Sequence, residues 1–304
     1  MVQFHDFPYD FDPKCNLFLD VIEQILNEFG SKQSENLTFL GCYPKINLVA
    51  KTFLFMKSRF SDRSMTKWLD HQKGLSNIRN VQGKKVWVTF ENRRIPSDGV
   101  DLTLSFDLDS NKGTNLYFPL LYSYIDFLNN QSTYVRHKIT FEDLLQPREN
   151  IGMDINQRKF ACAFINNPDP VRLRFIKELS ELGPVDVFGR FANNYVKDKI
   201  AKGNEYKFLI CFENDLFPGY VTEKPLEAWL SKSVPVYWGN DARGLLNSAA
   251  LINCSSYDSL ADAAESVASL QSQTELMEGI IKQPLLSAKT QKPDLVGFLK
   301  QILD

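Results

Sequence analysis

Two hydrophobic periods alternate along this chain. Leu17, Phe18, Val21, Ile22 and Ile25 fall at helical spacing within 16–29. Lys85 to Phe90 reads as a strand that runs into Glu91, and a second strand is expected at about 100–106. The segment 143–158 mixes Pro, Gly, Asn and charges without periodicity and reads as a linker. Beyond it the rhythm sharpens. Strands are expected at 159–165, 185–188, 206–212, 234–238 and 250–253. Helices are expected after Asp169-Pro170, at 222–232 with Thr222 as N-cap, at 259–270 and at 295–303.

Alternating strands and helices predict an α/β protein with parallel sheets. The expected organisation is an α/β domain at 1–150 and a second α/β domain at 151–285. A C-terminal helix within 286–304 could pack back toward the first domain. Ligands of open parallel sheets bind beyond the carboxyl ends of the strands, and the polar residues of interest cluster at those ends.

Composition narrows the picture. The 304 residues carry 35 Lys plus Arg against 37 Asp plus Glu, a net charge of -2. That balance argues against a general nucleic-acid or membrane binder, so any anion site is local. No apolar run reaches a membrane span, and no signal peptide is visible, so a cytoplasmic location is expected. The five cysteines show no metal-ligand spacing, and Cys42, Cys162 and Cys211 sit in apolar runs as small buried residues.

The richest segment is 206–239, where a buried strand delivers Glu213 and Asn214 to its end. A Pro-Gly loop follows, then Tyr220, Thr222, Glu223 and Lys224 at the start of a helix. Free amides at a helix start, joined by a lysine and a tyrosine hydroxyl, could hold a diphosphate without a metal. On composition alone, capping by Thr222 and Glu223 with a solvated Lys224 explains the same residues.

This segment resembles the donor signature of the α-1,3/4-fucosyltransferases, glycosyltransferase family ten. The family pattern is an apolar strand, Phe-Glu-Asn, a loop, Tyr-hydrophobic-Thr-Glu-Lys, a helix and Val-Pro-Val before a Gly. Here these are Phe212-Glu213-Asn214, Tyr220 to Lys224 and Val234 to Gly239. Lys159 to Pro168, Gly189-Arg190 with Asn193-Asn194, Glu91-Asn92-Arg93, Phe106-Asp107 and Phe7 to Asn16 resemble further family elements. Residues 30–80 match nothing, and Phe90 and Phe188 stand where the family has glycine.

The resemblance implies a GT-B architecture, two Rossmann-like domains facing a cleft, and an inverting transfer of L-fucose from GDP-fucose to a glycan hydroxyl. N-acetylglucosamine, linked α-1,3 or α-1,4, is the implied acceptor residue. Glu91 would be the general base, and Arg190 and Lys224 the phosphate clamps. Asn214, Tyr220, Glu223, Asn193 and Asn194 would contact the donor. A surface ion pair of Glu91 with Arg93 or Arg94, and a structural salt bridge at Arg190, are the competing readings. No cofactor or metal is implied, and Asp107-Leu108-Asp109 reads as structural. The rivals are a GT-B enzyme using another sugar nucleotide and a catalytically silent glycan- or nucleotide-binding protein. The sequence leaves acceptor and oligomeric state open.

Overall fold

The computed structural model describes residues 2–5, 16–29, 37–41, 81–89, 91–92, 99–108, 113–131, 135–151 and 154–302. The chain divides into two compact units. Unit 1 comprises 1–118, 130–136 and 293–304, and unit 2 comprises 119–129 and 137–292.

In unit 1 the strands are β1 (Val2–His5), β2 (Leu37–Leu40), β3 (Lys84–Val88), β4 (Leu102–Ser105) and β5 (Asn115–Tyr117), with helix α1 (Leu17–Phe29) between β1 and β2. The strands lie in the order β1-β2-β3-β4-β5, and every pair is parallel. All four residues of β2 and of β4 are buried, as expected of a sheet covered on both faces. Leu17, Phe18, Val21, Ile22 and Ile25 bury the helical stripe read from the sequence, and Phe18 stacks on Phe39 of β2.

Unit 2 opens with a two-stranded pair, β6 (Ile125–Asp126) and β7 (His137–Thr140). Then follow β8 (Lys159–Phe164), α2 (Pro170–Ser180), β9 (Val185–Phe188), α3 (Lys199–Gly203), β10 (Tyr206–Phe212), α4 (Lys224–Leu230), β11 (Val234–Trp238), β12 (Ile252–Asn253), α5 (Leu260–Leu270) and α6 (Thr274–Lys282). The main sheet has the order β12-β11-β10-β8-β9, all parallel. Its central strand β10 is almost wholly buried, which is why it reads as a nearly unbroken apolar run. Phe160, Phe175, Phe208 and Phe212 pack with Val234, Val236, Ala263 and Val267 in one core. Asp169 caps α2 through the Val171 amide with Pro170 behind it, as the sequence predicts.

The last helix, α7 (Leu295–Lys300), packs against α1 within unit 1.

The division differs from the one that composition suggested. Residues ahead of 150 belong with unit 2: Leu286 donates its amide to the Leu144 carbonyl at 3.0 Å, and Arg148 donates its amide to Lys282 at 2.9 Å. The polar stretch is built of short 3-10 turns at Asp143–Leu145 and Ile155–Gln157. Its composition marks irregular backbone, which need not be a place where contacts are few. Likewise Leu286 and Thr290 bond into unit 2, and only the chain from Pro293 onward returns to unit 1.

Buried Cys162, Cys211 and Cys254 carry free thiols, and Cys42 lies outside the described residues. Among the described residues no helix is long and apolar enough to cross a membrane.

Candidate functional site

The unit 2 sheet changes direction between β8 and β10, because the chain moves outward to β9 on one side and to β11 and β12 on the other. Such a switch point opens a crevice at the carboxyl ends of the two strands. Three segments meet this edge: 165–167 after β8, 189–194 after β9 and 213–224 after β10.

The segment after β10 is organised by Glu213. Its amide donates to the Trp238 carbonyl at 2.9 Å, which carries the strand one residue further. The residue is 1% exposed. Its Oε1 accepts the Thr222 amide at 2.7 Å, and its Oε2 accepts the Thr222 hydroxyl at 2.7 Å and Lys224 Nζ at 3.2 Å. Lys224 Nζ also donates to Thr222 Oγ1 at 2.9 Å and lies 3.8 Å from Glu223 Oε1. The loop between the two ends turns through Gly219, whose amide donates to Asn240 O at 2.8 Å.

This arrangement corrects the expected cap. Helix α4 starts at Lys224, not Thr222, and its N-cap Glu223 makes no side-chain capping bond. Thr222 is spent on Glu213 instead, because a carboxylate buried at a strand end must find donors. Electrostatics follow from the same contacts. Burial pushes the Glu213 carboxyl above its ordinary range, and the Lys224 ammonium offsets only part of that. Burial would lower Lys224, but Glu213 and Glu223 outweigh it and hold the ammonium firmly charged. Glu223 is also raised by burial, yet Lys224, backbone N–H and Lys199 bring it below the ordinary carboxylate value.

On the other side of the switch, Arg172 of α2 is 5% exposed and reaches the end of β10. Its Nη2 donates to Phe212 O at 2.6 Å and Asn214 Oδ1 at 3.0 Å, and its Nη1 to Asn167 O at 3.2 Å. A guanidinium has only donors, so the oxygen of the Asn214 amide faces Arg172 and its NH2 group is left for other partners. Burial lowers the Arg172 pKa, and Asp169 and Glu213 work against that shift.

The loop after β9 is held equally closely. Gly189 and Asn194 exchange backbone bonds of 2.6 and 3.1 Å, which closes a four-residue tip holding Arg190. Arg190 donates its amide to Asn166 Oδ1 at 3.2 Å, and Phe191 donates to Ile165 O at 3.1 Å. Gly189 has φ 98°, and a Cβ there would stand 2.5 Å from the Ile165 carbonyl oxygen, so glycine is required. Asn193 adopts φ 52°, which asparagine tolerates better than most residues. The segment 165–167 thus joins both loops: Asn166 holds Arg190, and Asn167 holds Arg172.

The predicted donor residues therefore fall on neighbouring loops of one sheet edge. Lys224 and Glu223 are partly exposed, and Arg190, Asn193, Asn194 and Asn214 are exposed. Tyr220 is 1% exposed, which leaves it a packed residue of the loop in this structure. Sequence reasoning missed Arg172, which it passed over within a helix, and Asn166, which it treated only as part of a motif. It quoted Glu213 as a strand end without a role.

Glu91 belongs to unit 1 and is half-buried just beyond β3. The strand is extended to Thr89, whose amide donates to Leu104 O at 2.9 Å and whose hydroxyl accepts from Trp87 Nε1 at 2.8 Å. Phe90, Arg93, Arg94 and His71 lie outside the described residues, as do the side chains of Phe4, His5, Phe7, Tyr9 and Phe11. Asp107 sits in the turn after β4, its amide donating to Ser105 Oγ at 3.1 Å, and Asp109 is not described. Among the described residues no three His, Cys, Asp or Glu side chains are placed to hold a metal ion.

With this geometry in place, similarity to known proteins becomes informative. Residues 155–279, which span all three segments, match the model of glycosyltransferase family 10 (fucosyltransferase), C-terminal part. The chain is 29% identical to the α-(1,3)-fucosyltransferase FucT of Helicobacter pylori over 207 residues, 60% of this chain and 42% of that protein. It is 35% identical over 88 residues to a bovine 4-galactosyl-N-acetylglucosaminide 3-α-L-fucosyltransferase 9, covering 28% of this chain and 24% of that protein. The chain thus spans less than half the length of both relatives. A solved α1,3-fucosyltransferase with GDP-fucose has the same fold, with TM-score 0.66 and 20% identity over 100% of this chain and 90% of that one. The fold is GT-B, and the matched residues 155–279 form the bulk of unit 2.

Proposed function

We propose that this protein transfers L-fucose from GDP-fucose to a hydroxyl group of a glycan acceptor, with inversion at the anomeric carbon. The observation that carries the reading is the carboxyl edge of the unit 2 sheet, where Lys224 is fixed on Glu213, Asn214 is held by Arg172, and the Arg190 loop is tied to Asn166. A cation, an amide donor and a forked cation on preordered backbone suit a nucleoside diphosphate.

In the proposed reaction the acceptor oxygen attacks the fucose anomeric carbon while the bond to the GDP oxygen breaks. Glu91 takes the hydroxyl proton, and Arg190 and Lys224 neutralise the charge on the departing diphosphate. Asn214 donates to the donor phosphate or sugar, and Glu223 accepts from a sugar hydroxyl. Asn193 and Asn194 line the same side. Tyr220 would reach the donor only if its loop shifted, so its part is to shape that loop. The relatives act on galactosyl-N-acetylglucosaminide or form α-1,3 linkages by name, which supports N-acetylglucosamine as acceptor and, of the α-1,3 and α-1,4 bonds, favours α-1,3.

GDP release tests this across a panel of sugar nucleotides with and without galactosyl and N-acetylglucosaminyl acceptors. Turnover with GDP-fucose alone is expected, and Glu91→Ala should abolish it while GDP binding persists. Turnover with a different sugar nucleotide would remove fucose from the assignment. Nucleotide binding without turnover on any donor and acceptor would favour a silent binding protein.

A further inference from the structure

We propose that Glu213 is a positioning residue that sets the Lys224 ammonium for a ligand phosphate, acting through Thr222. This rests on the reading of the unit 2 edge as a nucleoside diphosphate site and adds a residue that contacts no ligand.

The argument starts from hydrogen-bond capacity. A lysine ammonium has three donors on a flexible four-carbon stem and is a poor anchor unless its position is fixed. Lys224 spends one N–H on Glu213 Oε2 at 3.2 Å and one on Thr222 Oγ1 at 2.9 Å. Thr222 can accept that bond because its own hydroxyl proton goes to Glu213 Oε2 at 2.7 Å. The directions close into a ring of Lys224, Thr222 and Glu213 in which each proton has one acceptor. The third N–H remains for an incoming oxygen, and the Lys224 side chain keeps 22% of its surface open for one.

Glu213 itself cannot meet a ligand. Its side chain has no exposed surface, and its other oxygen is filled by the Thr222 amide at 2.7 Å. A buried carboxylate is costly to keep for helix capping or surface charge, and neither applies here. What its two oxygens do accomplish is to pin residues 222 and 224, on the far side of the loop, to the end of β10. Arg172 holds the adjacent Asn214 from behind in the same way, so two ligand-facing groups are oriented by buried charges that face away from the ligand.

The test is competition against a fluorescent GDP, reading the affinities of GDP and of guanosine for the whole chain. Glu213→Gln should weaken GDP about 10- to 100-fold, the range for losing a hydrogen bond to a charged group. Guanosine, which has no phosphate for Lys224, should bind the variant as it binds the unaltered chain. Thr222→Val supplies the same test should Glu213→Gln fail to fold: it removes only the relaying hydroxyl. It should weaken GDP selectively, and Thr222→Ser should restore it. Equal losses of GDP and guanosine, or GDP affinity unchanged in folded Glu213→Gln or Thr222→Val, would overturn the positioning role. Failure of the unaltered chain to bind GDP would instead overturn the donor reading on which it rests.

Discussion

At the scale of single residues, the centre of the unit 2 edge is a row of alternating charges: Arg172, Glu213, Lys224 and Glu223. The two carboxylates are shifted in opposite directions, and this has a consequence for stability. Glu213 is raised by burial above its ordinary value of 4.5, so the folded state holds its proton more tightly than the unfolded chain. Its contribution is therefore present below that value and lost as pH rises through the folded pKa. Glu223, lowered on balance by Lys224 despite its burial, contributes above the ordinary value and loses that contribution as pH falls. Urea unfolding from pH 4.5 upward should show the unaltered chain losing stability relative to Glu213→Gln. Parallel curves would contradict the assignment of the slope to Glu213. The sequence displayed Glu213 as the polar end of an apolar strand. It could not show that Thr222 and Lys224, nine and eleven residues on, are its partners, because that contact depends on how the loop returns.

At the scale of elements, the site depends on how firmly α4 is held at the end away from it. Three donors reach the carbonyls there: Arg148 to Trp229, Asn204 to Ser231 and Arg158 to Lys232. Cations at a helix C-terminus meet its partial negative charge. Arg148 also lays its guanidinium over the Trp229 ring, 3.3 Å from the centroid, and burial lowers its pKa to about 10. Arg148→Ala should destabilise unit 2 by about 1–3 kcal/mol through the lost stacking and charged hydrogen bond. Arg148→Lys should recover little, since an ammonium lacks the planar fork. A chemical unfolding midpoint unchanged in Arg148→Ala would remove Arg148 from the cap. Element positions were largely legible: β8, β9, β10 and β11 lie within a residue of their expected bounds, and α2 begins where Asp169-Pro170 announced it. Helix α4 came out shorter than 222–232 at both ends, since Thr222 is diverted to Glu213. On α2, apolar Val171 and Leu173 are half-buried while Arg172 between them is buried. A residue read as polar is drawn inward there by strand-end carbonyls that no local pattern reveals.

At the scale of the whole molecule, the boundary at 150 was the least legible feature. Composition identified a polar, irregular segment but not its attachment to unit 2. Tyr122, Phe127 and Phe141 pack as a cluster of rings within unit 2, with centroids 5.2 to 6.2 Å apart, and Leu144 is fully buried. A fragment of 119–292 should therefore unfold cooperatively and at a higher temperature than a fragment of 151–285, which lacks these rings. Equal melting temperatures by circular dichroism would restore the boundary that composition suggested.

The proposed role of the carboxyl edge of the unit 2 sheet, binding the diphosphate of a guanosine sugar nucleotide, can be measured on the intact chain. Calorimetric titration of the whole chain with GDP-fucose, beside Lys224→Ala, tests it most directly. One site per chain is expected, with affinity falling by about tenfold or more when the charged contact at Lys224 is lost. Absence of binding, or binding to which Lys224→Ala makes no difference, would contradict it.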